Sequence, residues 1–217
     1  MPLLGEFDAV VTDPPYGMAW SGKITRGKNG TGETGKTRSF NKRILNDSGP
    51  FDPSFLLSVG DAQIIFGFNH FPEKLKRGSS LVWLKRYDSG FGSFLSDAEI
   101  AYFSRGHGVY CFRDLSKQGD SQNILHPTQK PIPLMQWCLG FLTNSQTILD
   151  PFMGSGTTLV ACAKLGRKGT GIELDPEYFE IACKRVEEAY RQRDMFTPPP
   201  EKPISPVQID LLGEDAA

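Results

Sequence analysis

Thr147-Ile148-Leu149-Asp150 is a short apolar run closed by Pro151-Phe152-Met153-Gly154-Ser155-Gly156-Thr157-Thr158, and helical spacing of apolar residues follows from about Thr157 to Leu165. A strand, a glycine-rich turn and a helix in that order belong to a βαβ unit, which commits the chain to a parallel α/β sheet. The glycines admit close backbone approach and the helix N-terminus favours polar and anionic groups, so the turn suits an adenosine-containing cofactor. Lys168-Gly169-Thr170-Gly171-Ile172-Glu173 is a further strand ending in an acid, and Leu174-Asp175-Pro176 caps a helix running to about Tyr190. Glu173 stands 19 residues beyond Gly154, the distance at which a strand-end acid accepts the hydroxyls of a ribose. No lysine closes the turn, as a P-loop requires, and Leu159 stands where the dinucleotide pattern has its third glycine.

A second strand end carries chemistry of its own. Phe7-Asp8-Ala9-Val10-Val11-Thr12 reads as a buried strand, and Asp13-Pro14-Pro15-Tyr16 follows directly. Ligands of open α/β sheets bind beyond the carboxyl ends of strands. The prolines hold this loop extended and leave its carbonyls as acceptors. The Asp13 carboxylate, the Pro14 carbonyl and the Tyr16 ring suit a planar group bearing an amine, such as a nucleobase. Taken alone, the tetrapeptide reads first as a stiff turn with an exposed aromatic, because short motifs recur by chance, and the cofactor-type turn is what favours the nucleobase reading.

From Gly17 to about Arg43 the composition changes. Gly22, Gly27, Gly30, Gly32 and Gly35 alternate with Lys23, Arg26, Lys28, Lys36, Arg38, Lys42 and Arg43, against Glu33 alone. So many glycines oppose regular structure, and residues 17–43 are expected as a mobile basic loop that attracts a phosphate backbone. The net charge is −1, so nucleic-acid contact has to come from such a local patch. Further along, Asp52-Pro53-Ser54 opens a short helix, strands are expected at 62–67, 81–84 and 99–103, and Phe71 to Lys76 has room for a helical turn or two. Residues 104–125 show weak periodicity and read as a connector. His126-Pro127-Thr128-Gln129-Lys130-Pro131 then enters a helix through Leu142, with Thr128 and Lys130 placed to hydrogen-bond an anion near its N-terminus. Residues 191–217 read as a proline-rich tail, with Val207 to Leu212 as a candidate edge strand.

The length, 217 residues, suits a single α/β domain over 1–190. No apolar stretch reaches the ~20 residues of a membrane span, and the N-terminus lacks signal-peptide character, so a cytoplasmic protein without membrane partner is expected. The four cysteines, Cys111, Cys138, Cys162 and Cys183, form no CxxC pair and read as reduced core thiols, with no metal site expected.

Four segments in this order, Asp13-Pro14-Pro15-Tyr16, His126-Pro127-Thr128-Gln129-Lys130-Pro131, Asp150-Pro151-Phe152-Met153-Gly154-Ser155-Gly156-Thr157 and Gly171-Ile172-Glu173-Leu174-Asp175-Pro176, resemble the amino-methylating DNA methyltransferases of the β class. That class has its catalytic motif N-terminal to its cofactor motif, a circular permutation of the usual order. The resemblance implies S-adenosyl-L-methionine as cofactor, DNA as partner, and a Rossmann-like, mostly parallel seven-stranded sheet with one antiparallel strand. It implies that Phe152, Gly154 and Gly156 cradle the methionine portion and Glu173 the ribose, with Thr128 and Lys130 near the cofactor's carboxylate. Asp150, Ser155, Thr157 and Asp175 complete the expected cofactor shell. Asp13, Pro14, Pro15 and Tyr16 form the base pocket, and Lys23, Arg26, Lys28, Lys36 and Arg38 face DNA. Aspartate at the head of the tetrapeptide resembles the adenine-N6 enzymes, whereas serine is more typical of cytosine-N4 enzymes. Only 104–125 is available for target recognition, so loop-borne readout is expected, with room for a homodimer that pools two contact surfaces. Cytosine-N4, RNA or protein-amide methylation, a non-catalytic nucleic-acid-binding protein and a nicotinamide oxidoreductase are the alternatives.

Overall fold

Ala9–Thr12 (β1) is a strand with every residue buried. Side chains of a strand alternate between faces, so β1 needs cover on both sides. In the computed structural model the described residues are 5–18, 23–24, 38–39, 47, 49–92, 96–115 and 129–192. Within them β1 lies inside a seven-stranded sheet of order β7-β5-β6-β4-β1-β8-β9. The other strands are β4 (Ala62–Phe66), β5 (Ser79–Leu84), β6 (Ala98–Phe103), β7 (Val109–Arg113), β8 (Thr147–Asp150) and β9 (Lys168–Gly171). β1 pairs in parallel with β4 and with β8, and β8 with β9. β6 alone runs antiparallel, between β4 and β5. This is the expected mostly parallel sheet with one antiparallel strand.

Ala9 and Val11 pack on one face with Ile64, Phe66, Trp83 and Ile148 beneath α1 (Ile132–Gly140) and α2 (Thr157–Lys164). Val10, Ile65 and Leu149 pack on the other with Leu56, Phe71 and Tyr102. Leu56 comes from a 3₁₀ turn, Pro53–Ser58, capped as expected by Asp52, which accepts from the Ser54 N–H. α3 (Pro176–Arg191) is capped by Asp175, whose carboxylate accepts from the Glu177 and Tyr178 N–H groups. Asp8 joins the first strand to β8 by accepting from the backbone N–H groups of Gln146 and Thr147 at 2.7 and 2.8 Å.

Two expectations need correction. Residues 104–125 are not simply a connector, because Val109–Arg113 extends the sheet as β7, paired in parallel with β5. The basic loop contains a short antiparallel ladder of Lys23–Ile24 (β2) with Arg38–Ser39 (β3). The proposed edge strand at 207–212 lies outside the described residues.

Candidate active site

Because β1, β4 and β8 are parallel neighbours, the segments after Thr12, Phe66 and Asp150 emerge at the same edge of the sheet. Adjacent strands stand about 4.8 Å apart. The Asp13 loop and the glycine-rich turn are therefore side by side.

Asp13 is held at both carboxylate oxygens. The Tyr16 hydroxyl donates to Oδ1 and the Lys130 ammonium to Oδ2. Lys130, only 7% exposed, also pairs with Glu99 Oε2 at 3.2 Å and lies 5.1 Å from the centroid of the Phe66 ring. Burial alone would push the Lys130 ammonium down, but the facing Asp13 and Glu99 carboxylates hold its pKa above the ordinary lysine range. Burial and then the Asp13 charge push the Tyr16 phenol far up, so it remains a donor. The Tyr16 ring stacks on His70, centroids 4.6 Å apart and planes at 12°. Gly67, at φ +70°, makes that position possible, since a Cβ there would sit 2.1 Å from Tyr16 Cε1. Downstream, Asp47 Oδ1 accepts from the Gly17 and Met18 N–H groups at 2.8 and 3.0 Å, fixing the exit of the loop. Pro14 is buried and Pro15 half-buried between these anchors.

The glycine-rich turn uses left-handed backbone at Gly154 (φ +51°) and Gly156 (φ +76°). A Cβ on Gly156 would lie 2.9 Å from the Ala182 Cβ, so the turn packs directly on α3. Glu173 Oε2 accepts from the Gly154 N–H at 3.0 Å and Oε1 from the Asp175 N–H at 2.8 Å. Each oxygen keeps a second lone pair for a ligand hydroxyl. Burial raises the Glu173 pKa, although backbone N–H groups oppose the shift. Phe152, half-buried, meets Phe51 edge-on with centroids 5.5 Å apart.

Several residues of the expected cofactor shell also hold the turn itself. The Asp150 carboxylate, 3% exposed, accepts from the Thr12 hydroxyl at 2.7 Å, the Thr158 hydroxyl at 2.5 Å and the Phe152 N–H at 3.2 Å. It ties β1, β8 and α2 together beneath the turn, and burial pushes its pKa up to about 6. Asp175 caps α3. Arg185 of α3 donates to the Ser155 carbonyl, to Ser155 Oγ at 2.9 Å and to Thr157 Oγ1 at 3.4 Å. The Ser155 hydroxyl also donates to Gln129 Oε1 at 3.3 Å. Lys130, expected near the anionic end of a cofactor, is engaged by Asp13 and Glu99.

Sequence reasoning did not find Glu99, Arg185, Gly67 or His70. A charge on an otherwise apolar strand was the one available signal for Glu99, and a glycine closing β4 the one for Gly67. Thr128, Arg26, Lys28 and Lys36 lie outside the described residues, and for Lys23 and Arg38 only the backbone ladder is described. Cys138 and Cys162 are buried and Cys111 is exposed. Among the described residues, no group of histidine, cysteine, aspartate and glutamate could hold a metal ion, and no helix is long and apolar enough to cross a membrane.

Residues 82–184 match the family model described as DNA methylase. The chain is similar to the Type II methyltransferase M2.LlaDCHI of Lactococcus lactis subsp. cremoris, 43% identical over 110 residues, which is 49% of this chain and 41% of that protein. It is also similar to the Type II methyltransferase M2.DpnII of Streptococcus pneumoniae, 49% identical over 74 residues, 34% of this chain and 28% of that protein. The matched stretch is thus less than half the length of either relative. In fold the chain is similar to the crystal structure of the M1.HpyAVI-SAM complex, with a TM-score of 0.51 at 23% identity, covering 83% of this chain and 89% of that one. PvuII DNA methyltransferase (cytosine-N4-specific) gives a TM-score of 0.50 at 12% identity, covering 86% and 85%.

Proposed function

We propose that this chain is an amino-methylating DNA methyltransferase, a reading supported by its matches, and that it transfers a methyl group from S-adenosylmethionine to the exocyclic N6 of adenine in DNA. The observation that carries the reading is the adjacency of the Asp13 loop and the glycine-rich turn on paired parallel strands.

The residues present fit the cofactor. Gly154 and Gly156 offer a turn without side-chain bulk, Glu173 offers acceptors for ribose hydroxyls, and Phe152 offers an apolar ring. S-adenosylmethionine supplies an electrophilic methyl group when bound. The rest of the chemistry belongs to the Asp13 loop. The amino nitrogen of adenine is a poor nucleophile, because its lone pair is delocalised into the ring. Hydrogen bonds from its N–H groups to Asp13 Oδ1 and the Pro14 carbonyl favour a pyramidal nitrogen with the lone pair available for in-line attack. As the N–C bond forms, the methyl's bond to sulfur would break with its electron pair staying on sulfur, and the surplus proton on nitrogen would pass to solvent. Such catalysis rests on positioning and electrostatics, without a covalent intermediate. The Tyr16 hydroxyl occupies Asp13 Oδ1 in this structure and gives way to the amine. The base has to leave the duplex, and stacking on the Tyr16 ring offsets part of an unstacking cost of a few kcal/mol. The basic segment carrying Lys23, Arg26, Lys28, Lys36 and Arg38 contacts the phosphate backbone.

The test is transfer of tritiated methyl to unmethylated duplex DNA, followed by nuclease digestion and nucleoside chromatography. Label in N6-methyladenosine is expected. Label in N4-methylcytosine would overturn the choice of base and keep the mechanism.

A further inference from the structure

We propose that Glu99, on the single antiparallel strand of the sheet, is a positioning residue that acts through Lys130 to aim the Asp13 carboxylate at the substrate amine. The inference rests on the proposed function, because the orientation of Asp13 matters only if one of its oxygens receives that amine.

A charged line of four residues reaches the pocket. Lys85, just past β5, donates to Glu99 Oε1 at 3.0 Å, Glu99 Oε2 faces Lys130 at 3.2 Å, and Lys130 donates to Asp13 Oδ2. Its charges alternate and cancel. The Lys130 side chain is 7% exposed and Asp13 16%, whereas Lys85 and Glu99 are 25% and 34% exposed. The buried end of the line is therefore fixed to groups nearer the surface. A buried ammonium is costly unless paired. Paired with Asp13 alone, Lys130 would satisfy its charge but leave the pair free to turn together. Glu99 removes that freedom because β6 is bonded on both sides, to β4 and β5. Lys130 is further confined by the Phe66 ring beneath it.

The consequence falls on the two oxygens of Asp13. Oδ2 is held by a charged donor and Oδ1 by a neutral one, the Tyr16 hydroxyl. Both bonds end on an ionised acceptor, but only Lys130 is also an ionised donor, and its ion pair adds a charge–charge attraction that the hydroxyl lacks. The exchangeable position is thus Oδ1, and the Tyr16 hydroxyl keeps the place of the substrate N–H until a base arrives.

The experiment uses the full chain with Glu99→Gln, Glu99→Asp, Lys130→Met and the Glu99→Gln/Lys130→Met double variant. Single-turnover methyl transfer to duplex DNA at saturating S-adenosylmethionine is measured beside calorimetric cofactor affinity, with circular dichroism to establish folding. Misplacement of a reacting group by an ångström costs about 100-fold, so Lys130→Met is expected to slow transfer by about that factor and Glu99→Gln by about 10-fold. Glu99→Asp, which keeps the charge, recovers part of the loss. Cofactor affinity stays within about twofold of wild type. Residues acting in one line are non-additive, so the double variant is no slower than Lys130→Met. Wild-type transfer by Glu99→Gln, or a double variant whose loss is the product of the two single losses, overturns the inference. So does loss of cofactor affinity in Lys130→Met with the saturated rate preserved. No transfer by the wild-type chain itself overturns the proposed function, and this inference with it.

Discussion

Replacing Asp150 by asparagine should change the pH dependence of stability in a way that isolates one buried carboxylate. Asp150 is 3% exposed and is raised from its ordinary value of 3.8 to about 6, chiefly by burial. A carboxyl that holds its proton more tightly when folded stabilises the fold below its unfolded pKa, and that contribution is lost as pH rises toward the folded value. A rise from 3.8 to about 6 corresponds to about 3 kcal/mol lost between about pH 4 and pH 7. Asparagine is nearly isosteric. Its carbonyl can accept from Thr12 and the Phe152 N–H, and its amide can donate to the Thr158 hydroxyl, with no charge to bury. Urea denaturation of both proteins from pH 4 to pH 8 should therefore show the variant gaining on wild type by up to about 3 kcal/mol as pH rises. The difference cancels every other titrating group, including Glu173. A difference that stays flat across this range, or variant stability that falls relative to wild type as pH rises, would refute the claim that Asp150 is held at the expense of its ionised form.

Gly67→Ala places a Cβ 2.1 Å from Tyr16 Cε1 at a φ of +70°. The left-handed backbone alone costs about 1–2 kcal/mol, and the displaced Tyr16 ring should lower methyl transfer while calorimetry shows unchanged cofactor affinity. Arg185→Met leaves the Ser155 carbonyl without its guanidinium donor, a loss of about 1–3 kcal/mol readable by urea denaturation and accompanied by weaker S-adenosylmethionine binding. Burial pushes the Cys162 thiol up to about 12 and the Cys138 thiol higher. A thiol reagent at pH 8 should accordingly modify exposed Cys111 first and reach the two buried thiols only on unfolding. Deleting Gly22 to Gly35 should weaken DNA binding and flatten its dependence on salt, which filter-binding titrations would detect.

Elements whose side chains tell their surroundings were legible in the sequence. The run Ala9–Thr12, buried on both faces, and the Gly154–Gly156 turn announce themselves through composition and spacing. β7 was missed because it is an edge strand whose residues Val109–Cys111 are exposed, so no apolar alternation marks it. The supports of the site were hidden for a different reason. Lys130 and Asp13 are 117 residues apart and Thr12 and Asp150 are 138 apart, so their partnership exists only once strand order is known. Hence Asp150 and Lys130 read only as cofactor contacts, being beside motif residues, and their further ties, of one beneath the turn and of the other to Asp13, were hidden. Gly67 likewise acquires its meaning only from where the Tyr16 ring lies.

The most direct test is the Asp13→Ala variant, with S-adenosylmethionine affinity and methyl transfer to duplex DNA measured on the same preparation. Two neighbouring strand ends with separate tasks predict that the variant binds the cofactor as wild type does and transfers no detectable methyl. Transfer at an appreciable rate without the Asp13 carboxylate would contradict the account.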